Sequence, residues 1–237
     1  MSRLRLGLPS KGRLQDQAAD WLAARGLVVT RNGSERTYAG EIAGLDGLDP
    51  VLVSAGEIPR ELAEGRLDLG ITGLDVMTER VPGWQTRLRR LAPLGFGHAD
   101  LVVAVPQAWV DVETMDDVDA VAAAFRARHG MRLRVATKYH TLVRAFFRDH
   151  GIADYCIVDS QGATEAAVAN QTAEMIVDIT SSGETLRANH LKILGDGLIL
   201  ASEATLFLTE AAARDPEKAE ILRRFLTQTD LSGARKE

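Results

Sequence analysis

Short apolar runs alternate with amphipathic stretches along this 237-residue chain. Residues 4–8 read as a buried strand. From 14 to about 25, Leu14, Ala18, Trp21 and Leu22 share one face, as in a helix, and Gly26 ends it. After a polar stretch centred on Asn32, Gly33 and Ser34, the pattern resumes with a strand at 51–54 and a helix from Glu57 with Pro59 in its first turn. A further strand runs from Leu67 into Gly73, Leu74 and Asp75. Apolar runs at 91–96 and 101–105 flank Gly95, Phe96, Gly97 and His98, and Pro106 closes the second.

A helix over 115–129, a strand at 133–136 and a helix carrying Leu142, Val143, Phe146 and Phe147 follow. Then come a strand at 155–158, a helix containing Glu165, Ala166 and Ala167, and a strand at 174–178. Such alternation predicts parallel sheets, and its two batches, before Pro106 and from Met115 to Asp178, predict two α/β lobes. The expected division is lobe I at 1–105 and lobe II at 106–187. Residues 188–237 are read as return strands over 191–208 and a helix over 211–226 that complete lobe I.

Composition narrows the class of protein. With 46% hydrophobic and 26% charged residues the chain is an ordinary globular one, and its net charge of -5 argues against a broad nucleic-acid surface. The single cysteine, Cys156, excludes an intrachain disulfide and is expected to pack in the core among Tyr155, Ile157 and Val158. No signal-peptide core and no apolar stretch of membrane-spanning length is visible, so a cytoplasmic protein is expected. His98, His129, His140, His150 and His190 lack metal-site spacing, which places them at the surface or at helix ends and predicts no protein-held metal.

The stretch with the clearest chemistry begins at Asp178, where the apolar run Met175, Ile176 and Val177 ends. Ligands of open α/β sheets gather at the carboxyl ends of strands. Thr180, Ser181, Ser182, Gly183, Glu184 and Thr185 follow, hydroxyls around a residue whose backbone turns freely. Amides and hydroxyls so placed can wrap a phosphate, with help from the dipole of a helix starting near Thr185. A carboxylate just ahead of them repels phosphate and suits ribose hydroxyls, so the pattern fits a ribose 5-phosphate site. The same Ser and Thr residues also suit a simple helix cap. Lys11 and Arg13, around Gly12 after the first strand, are candidate phosphate contacts or solvated charges. Gly70 and Gly73 suit a close backbone approach, and Asp75 is either a site carboxylate or a helix cap.

Five fragments in order carry a resemblance: 8–14, 68–75, Leu94 to Gly97 with Val103 to Pro106, 136–139, and 177–189. Together they resemble the catalytic subunit of ATP phosphoribosyltransferase, over most of the chain. The resemblance implies two lobes like those of a periplasmic binding protein of type II, with the active site in the interlobe cleft. It implies transfer of a phosphoribosyl group from phosphoribosyl pyrophosphate to N1 of ATP, with inversion, and Mg²⁺ carried on the substrate phosphates. By the same likeness Asp178 meets the ribose, loop 180–185 the 5-phosphate, and Lys11 and Arg13 other phosphates. Asp75 with Gly73 then serves the nucleotide, Lys138 faces the cleft, and Glu165 helps hold the sugar. Ser54 stands where the family has an Arg, so Arg36 or Arg60 is the candidate replacement. Val168 stands where it has a Pro, and Ser182 where it has a Thr. The length resembles the short form, which implies catalytic homodimers within a hetero-oligomer with a histidyl-tRNA-synthetase-like regulatory subunit. Two rivals share these features: a phosphoribosyltransferase for another base, and a bilobal module that binds a ligand without catalysis.

Overall fold

The computed structural model describes residues 3–31, 40–160 and 162–232; the polar centre 32–34 and Arg36 lie outside them. In chain order the elements begin β1 (Leu4–Pro9), α1 (Arg13–Ala23), β2 (Val28–Arg31), β3 (Gly40–Ala43), β4 (Leu48–Val53), α2 (Ile58–Ala63), β5 (Leu69–Gly73), α3 (Leu74–Arg80) and β6 (Leu88–Pro93). They continue with β7 (Ala99–Pro106), α4 (Met115–His129), β8 (Leu133–Thr137), α5 (His140–Asp149), β9 (Tyr155–Asp159) and β10 (Met175–Thr180). Last come α6 (Glu184–Ala188), β11 (Leu191–Ser202), β12 (Ala204–Thr209), α7 (Glu210–Arg214) and α8 (Ala219–Gln228).

The chain divides into two compact units, one of Met1–His98 with Glu203–Glu237 and one of Ala99–Ser202. In the first, the sheet order is β4-β1-β5-β12-β6. The first three strands are parallel, and β12 enters antiparallel to both its neighbours. One face buries Leu4, Leu6, Leu8, Leu69 and Ile71 with Ala18 and Leu22 of α1. The opposite face packs Phe207 with Ile58 and Leu62 of α2 and with Trp84, whose ring meets that of Phe207 edge-on at 5.2 Å. Gly70 sets how closely α2 lies on the sheet, because a Cβ there would fall 2.7 Å from Ile58 and 2.9 Å from Leu62.

The second unit has the order β11-β7-β10-β8-β9. Strands β8, β9 and β10 are parallel, whereas β7 runs antiparallel to β10 and β11. Because side chains alternate along a strand, Leu101, Val103, Met175 and Val177 pack with Val118 and Ala122 of α4 and Val143 and Phe147 of α5. Val102, Ala104 and Ile176 face the other way, toward Ala167 and Leu186. Period two places Asp178 on that second face.

The two-unit reading holds, but its boundaries move. The run at 101–105 and the strand at 191–202 belong to the second unit, not to the first as 1–105 and 188–237 imply. The cause is strand pairing: Val102 lies opposite Asp178 and Val105 opposite Lys192 in antiparallel ladders, the second interrupted by shifts of register after Ile193 and Leu198. Only β12, α7 and α8 return to the first unit. The single helix expected over 211–226 is two, separated by a segment holding Pro216, which has no N–H to give a helix. The segment around Glu165 is a 3-10 turn, Thr164–Ala166. Cys156 is exposed rather than buried, because β9 is an edge strand whose Tyr155 and Ile157 supply the inward contacts.

Glu174, just before β10, ties that strand to β8. Its carboxylate accepts from the Arg134 backbone N–H at 2.8 Å and from Arg134 Nε at 3.1 Å. Burial pushes the carboxyl up, but the bonds from Arg134 outweigh it and its pKa lies below the ordinary value. A depressed folded pKa gives stability that is complete above the unfolded pKa of about 4.3 and is lost as pH falls through the folded one. Glu174→Gln is therefore expected to cost about 1–2 kcal/mol at pH 7 and much less in strong acid. Urea titrations at the two pH values test this, and an equal loss at both refutes the ion-pair account.

Candidate functional site

In the second unit, the carboxyl ends of β8 and β10 lie side by side, since Ile176 pairs with Ala136 in parallel register. Thr137 ends β8 and Lys138 follows it, whereas Asp178 is still within β10, which runs on to Thr180, two residues past the end expected at 178. Lys138 Nζ lies 3.5 Å from Asp178 Oδ1, and the side chains are 44% and 13% exposed, so the carboxylate is largely enclosed while the ammonium reaches solvent. The same carboxylate oxygen accepts the Ile179 N–H at 2.9 Å, which fixes its orientation.

Loop 180–185 is folded by its own hydroxyls. Thr180 Oγ1 accepts the Gly183 N–H at 2.8 Å, and Ser182 Oγ accepts the Glu184 N–H at 3.4 Å. An accepting hydroxyl keeps its proton, so both side chains remain donors to a ligand oxygen. Gly183 takes φ 71, the left-handed region that favours glycine. The helix expected near Thr185 is the five-residue α6, too short to lend much dipole, so the donors of the loop itself carry its chemistry. The simple helix-cap reading fails, because the N-cap of α6 is Gly183 with no side-chain cap; the hydroxyls shape the turn ahead of it. The turn holding Glu165 packs beside β10 and is anchored by the buried Thr164, whose Oγ1 accepts from Ser160 Oγ at 3.0 Å.

In the first unit, the carboxyl ends of the parallel strands β1, β4 and β5 share one edge of the sheet, which gathers Lys11, Arg13, Ser54, Gly73 and Asp75. Gly12, at φ 77, turns the chain so that Lys11 and Arg13 project exposed on either side of it, and Arg13 opens α1. Gly73 is the N-cap of α3; Asp75 lies in its first turn and is only 4% exposed, so it is not the cap residue. The Ser54 hydroxyl donates to Glu57 Oε2 at 2.9 Å. Arg60, the candidate replacement cation, donates to Glu64 at 2.8 Å, one turn further along, at the C-cap of α2.

Two residues escape a reading by motif. Glu203 takes the Gly95 N–H at 3.0 Å on its carboxylate, while its backbone carbonyl takes the Leu74 N–H at 3.2 Å, joining two glycine-bearing segments of the first unit. Arg187 donates from Nη2 to the Ser182 carbonyl at 3.0 Å. Its spacing from Gly183, one helical turn, is the one sequence signal that could have found it.

Among the described residues no cluster of three or more His, Cys, Asp or Glu side chains could hold a metal ion, and no helix is long and apolar enough to cross a membrane.

Residues 54–228 match the family model HisG: ATP phosphoribosyltransferase. An ATP phosphoribosyltransferase of Cereibacter sphaeroides is 59% identical over 209 residues, 88% of this chain and 89% of its own length. Among solved structures, the ATP phosphoribosyl transferase (HisG:HisZ) complex from Thermotoga maritima is similar at TM-score 0.73 and 24% identity, with 96% of each chain covered. A periplasmic sulfonate-binding protein, SsuA, of Methylobacillus flagellatus is similar at TM-score 0.52 and 14% identity, over 98% of this chain and 68% of its own. These last two likenesses concern the fold, the one shared by periplasmic binding proteins. The extent of the family match and the identity to the Cereibacter sphaeroides protein together show that the chain belongs to the ATP phosphoribosyltransferase family.

Proposed function

We propose that the chain is a glycosyltransferase that moves the 5-phosphoribosyl group from phosphoribosyl pyrophosphate to N1 of ATP, releasing pyrophosphate, the first step of histidine biosynthesis. The observation that carries this reading is an enclosed, oriented carboxylate, Asp178, directly ahead of a hydroxyl loop, in a chain of this family.

The bond from the anomeric carbon to pyrophosphate breaks as adenine N1 attacks from the opposite face, through an oxocarbenium-like transition state. Positioning and charge stabilisation matter more here than a strong base. Asp178 accepts hydrogen bonds from the ribose hydroxyls and sets negative charge near the electron-poor ring. Lys138 offsets that charge toward incoming phosphates. Thr180, Ser181, Ser182 and Thr185 donate to the 5-phosphate, with Gly183 and Glu184 shaping the turn. Glu165 supports the sugar side, Lys11 and Arg13 meet phosphates, and Gly73 and Asp75 serve the nucleotide. Mg²⁺ suits this donor set, since it binds substrate phosphate oxygens and water rather than a protein cage. Bound so, it would supply positive charge to the leaving pyrophosphate.

The Thermotoga maritima neighbour is a two-component complex by its description, which supports a regulatory partner subunit for this chain; catalytic homodimers and a cytoplasmic location belong to the same proposal.

The direct test mixes the purified chain with ATP, phosphoribosyl pyrophosphate, Mg²⁺ and pyrophosphatase and follows phosphoribosyl-ATP by absorbance, with and without a HisZ-type subunit. No product in either mixture overturns the proposal. Lys11→Ala is expected to raise KM for a phosphate-bearing substrate about tenfold, the loss of one charge-assisted hydrogen bond. Unchanged kinetics would remove Lys11 from the site.

A further inference from the structure

Arg187 lies outside the loop that ends at Thr185, yet its guanidinium is folded back onto it. Nη2 donates to the Ser182 carbonyl at 3.0 Å, and Nη1 stands 3.0 Å from where a Cβ on Gly183 would sit. The main chain is tied at the same place, because the Arg187 N–H donates to the Gly183 carbonyl at 3.0 Å. Two successive carbonyls, of Ser182 and Gly183, are therefore held by one residue. Each carbonyl belongs to a peptide plane whose other end is an amide, that of Gly183 or of Glu184, so holding the oxygens fixes where the N–H groups point. The Gly183 amide is meanwhile taken by Thr180 Oγ1. The loop thus has its carbonyl side bound by Arg187 and its amide side bound by its own hydroxyls. Gly183 alone adopts a left-handed backbone there and has no side chain to hold it.

We propose that Arg187 is a positioning residue for phosphoribosyl pyrophosphate: it locks the turn 182–184 in its ligand-ready form before substrate arrives, so that binding does not have to order the loop. A planar guanidinium suits this task, since it can donate to a carbonyl while lying flat against a glycine. The inference rests on the proposed function for its substrate, but not for its structural half. A loop pre-ordered in this way raises affinity by removing an ordering cost from the binding step.

Amide hydrogen exchange of the ligand-free chain separates the two halves. Arg187→Ala is expected to speed exchange at Gly183, Glu184 and Thr185 at least tenfold while leaving the β10 amides and the melting temperature unchanged. In the transfer assay the same variant is expected to raise KM for phosphoribosyl pyrophosphate about tenfold, with KM for ATP within twofold of wild type. Arg187→Lys, which keeps a cationic donor, recovers most of both effects. Loop exchange that does not change in Arg187→Ala overturns the proposal whatever the kinetics, because a direct contact to the phosphate alone would leave the free loop untouched. Equal losses for both substrates, a lowered melting temperature, or a Lys variant no better than Ala also overturn it. A wild-type chain inactive in the assay but showing the exchange effect would refute the substrate assignment and leave the loop lock standing.

Discussion

Asp178→Ala lowers kcat/KM for phosphoribosyl pyrophosphate roughly a thousandfold, the scale expected when one preorganised electrostatic group is removed from a transition state. The carboxylate is largely enclosed and is aimed by the Ile179 N–H, so water cannot take over its role at the same place. Folding should survive. The partner left behind, Lys138, has a side chain 44% exposed and is solvated by water, so the change in stability is below about 1 kcal/mol. Steady-state kinetics beside a thermal melt checks both parts. Asp178→Asn tests the charge separately from the shape, and it should lose nearly as much rate as the Ala variant. Normal turnover in either variant would remove Asp178 from the reaction.

The second large effect concerns Gly183. Gly183→Val forces a β-branched residue to φ 71 and places its Cβ 3.0 Å from Arg187 Nη1 and 3.6 Å from Ile193 Cδ1. The left-handed backbone alone costs about 1–2 kcal/mol for a residue with a Cβ, and the side chain has to displace the guanidinium as well. The loop can relieve this by opening, since Ser181, Ser182 and Gly183 lie beyond β10, which ends at Thr180 opposite Asp100. The expected result is a drop of about thirtyfold or more in kcat/KM for phosphoribosyl pyrophosphate, equivalent to about 2 kcal/mol, with the melting temperature lowered by only a few degrees. Kinetics with ribose 5-phosphate as a competing ligand reads the loop directly. A variant whose inhibition by ribose 5-phosphate is unaltered would show that the loop does not hold the phosphate.

Local pattern carried much of the fold. The helical face of Ala18 and Leu22, the strand at 133–136 and the apolar run into Asp178 all lie where the spacing places them, because each buries a contiguous face. What the pattern could not give was partnership. Residues 101–105 and 191–202 are extended in either unit, and only the ladders of β7 with β10 and with β11 decide which sheet takes them. The pair of β2 with β3 escaped the pattern, since its strands are four residues long and Val28, Thr30, Glu41 and Ala43 are exposed. The position of Cys156 failed for a related reason: an apolar run on an edge strand has one buried face, not two. At the site, the residue types of the loop and its Asp were legible, whereas the reach of Lys138 to Asp178 joins residues 40 apart in sequence and follows from the parallel register of β8 and β10. Arg187 and Glu203 act through backbone carbonyls and amides, which leave no mark in composition.

The place of β12 has a consequence for biosynthesis. This strand lies between β5 and β6, yet every residue of the second unit is translated before it. As the chain leaves the ribosome, the first unit holds a sheet with an interior strand missing, and Leu69 and Ile71 lack the neighbours that bury them. The second unit has all five of its strands by Ser202 and can close its core while its host is still open. The unit begun second is then the first to be finished: released chains truncated after Ser202 carry one folded unit and one exposed apolar seam, and chaperone dependence should end when 204–209 slot into place.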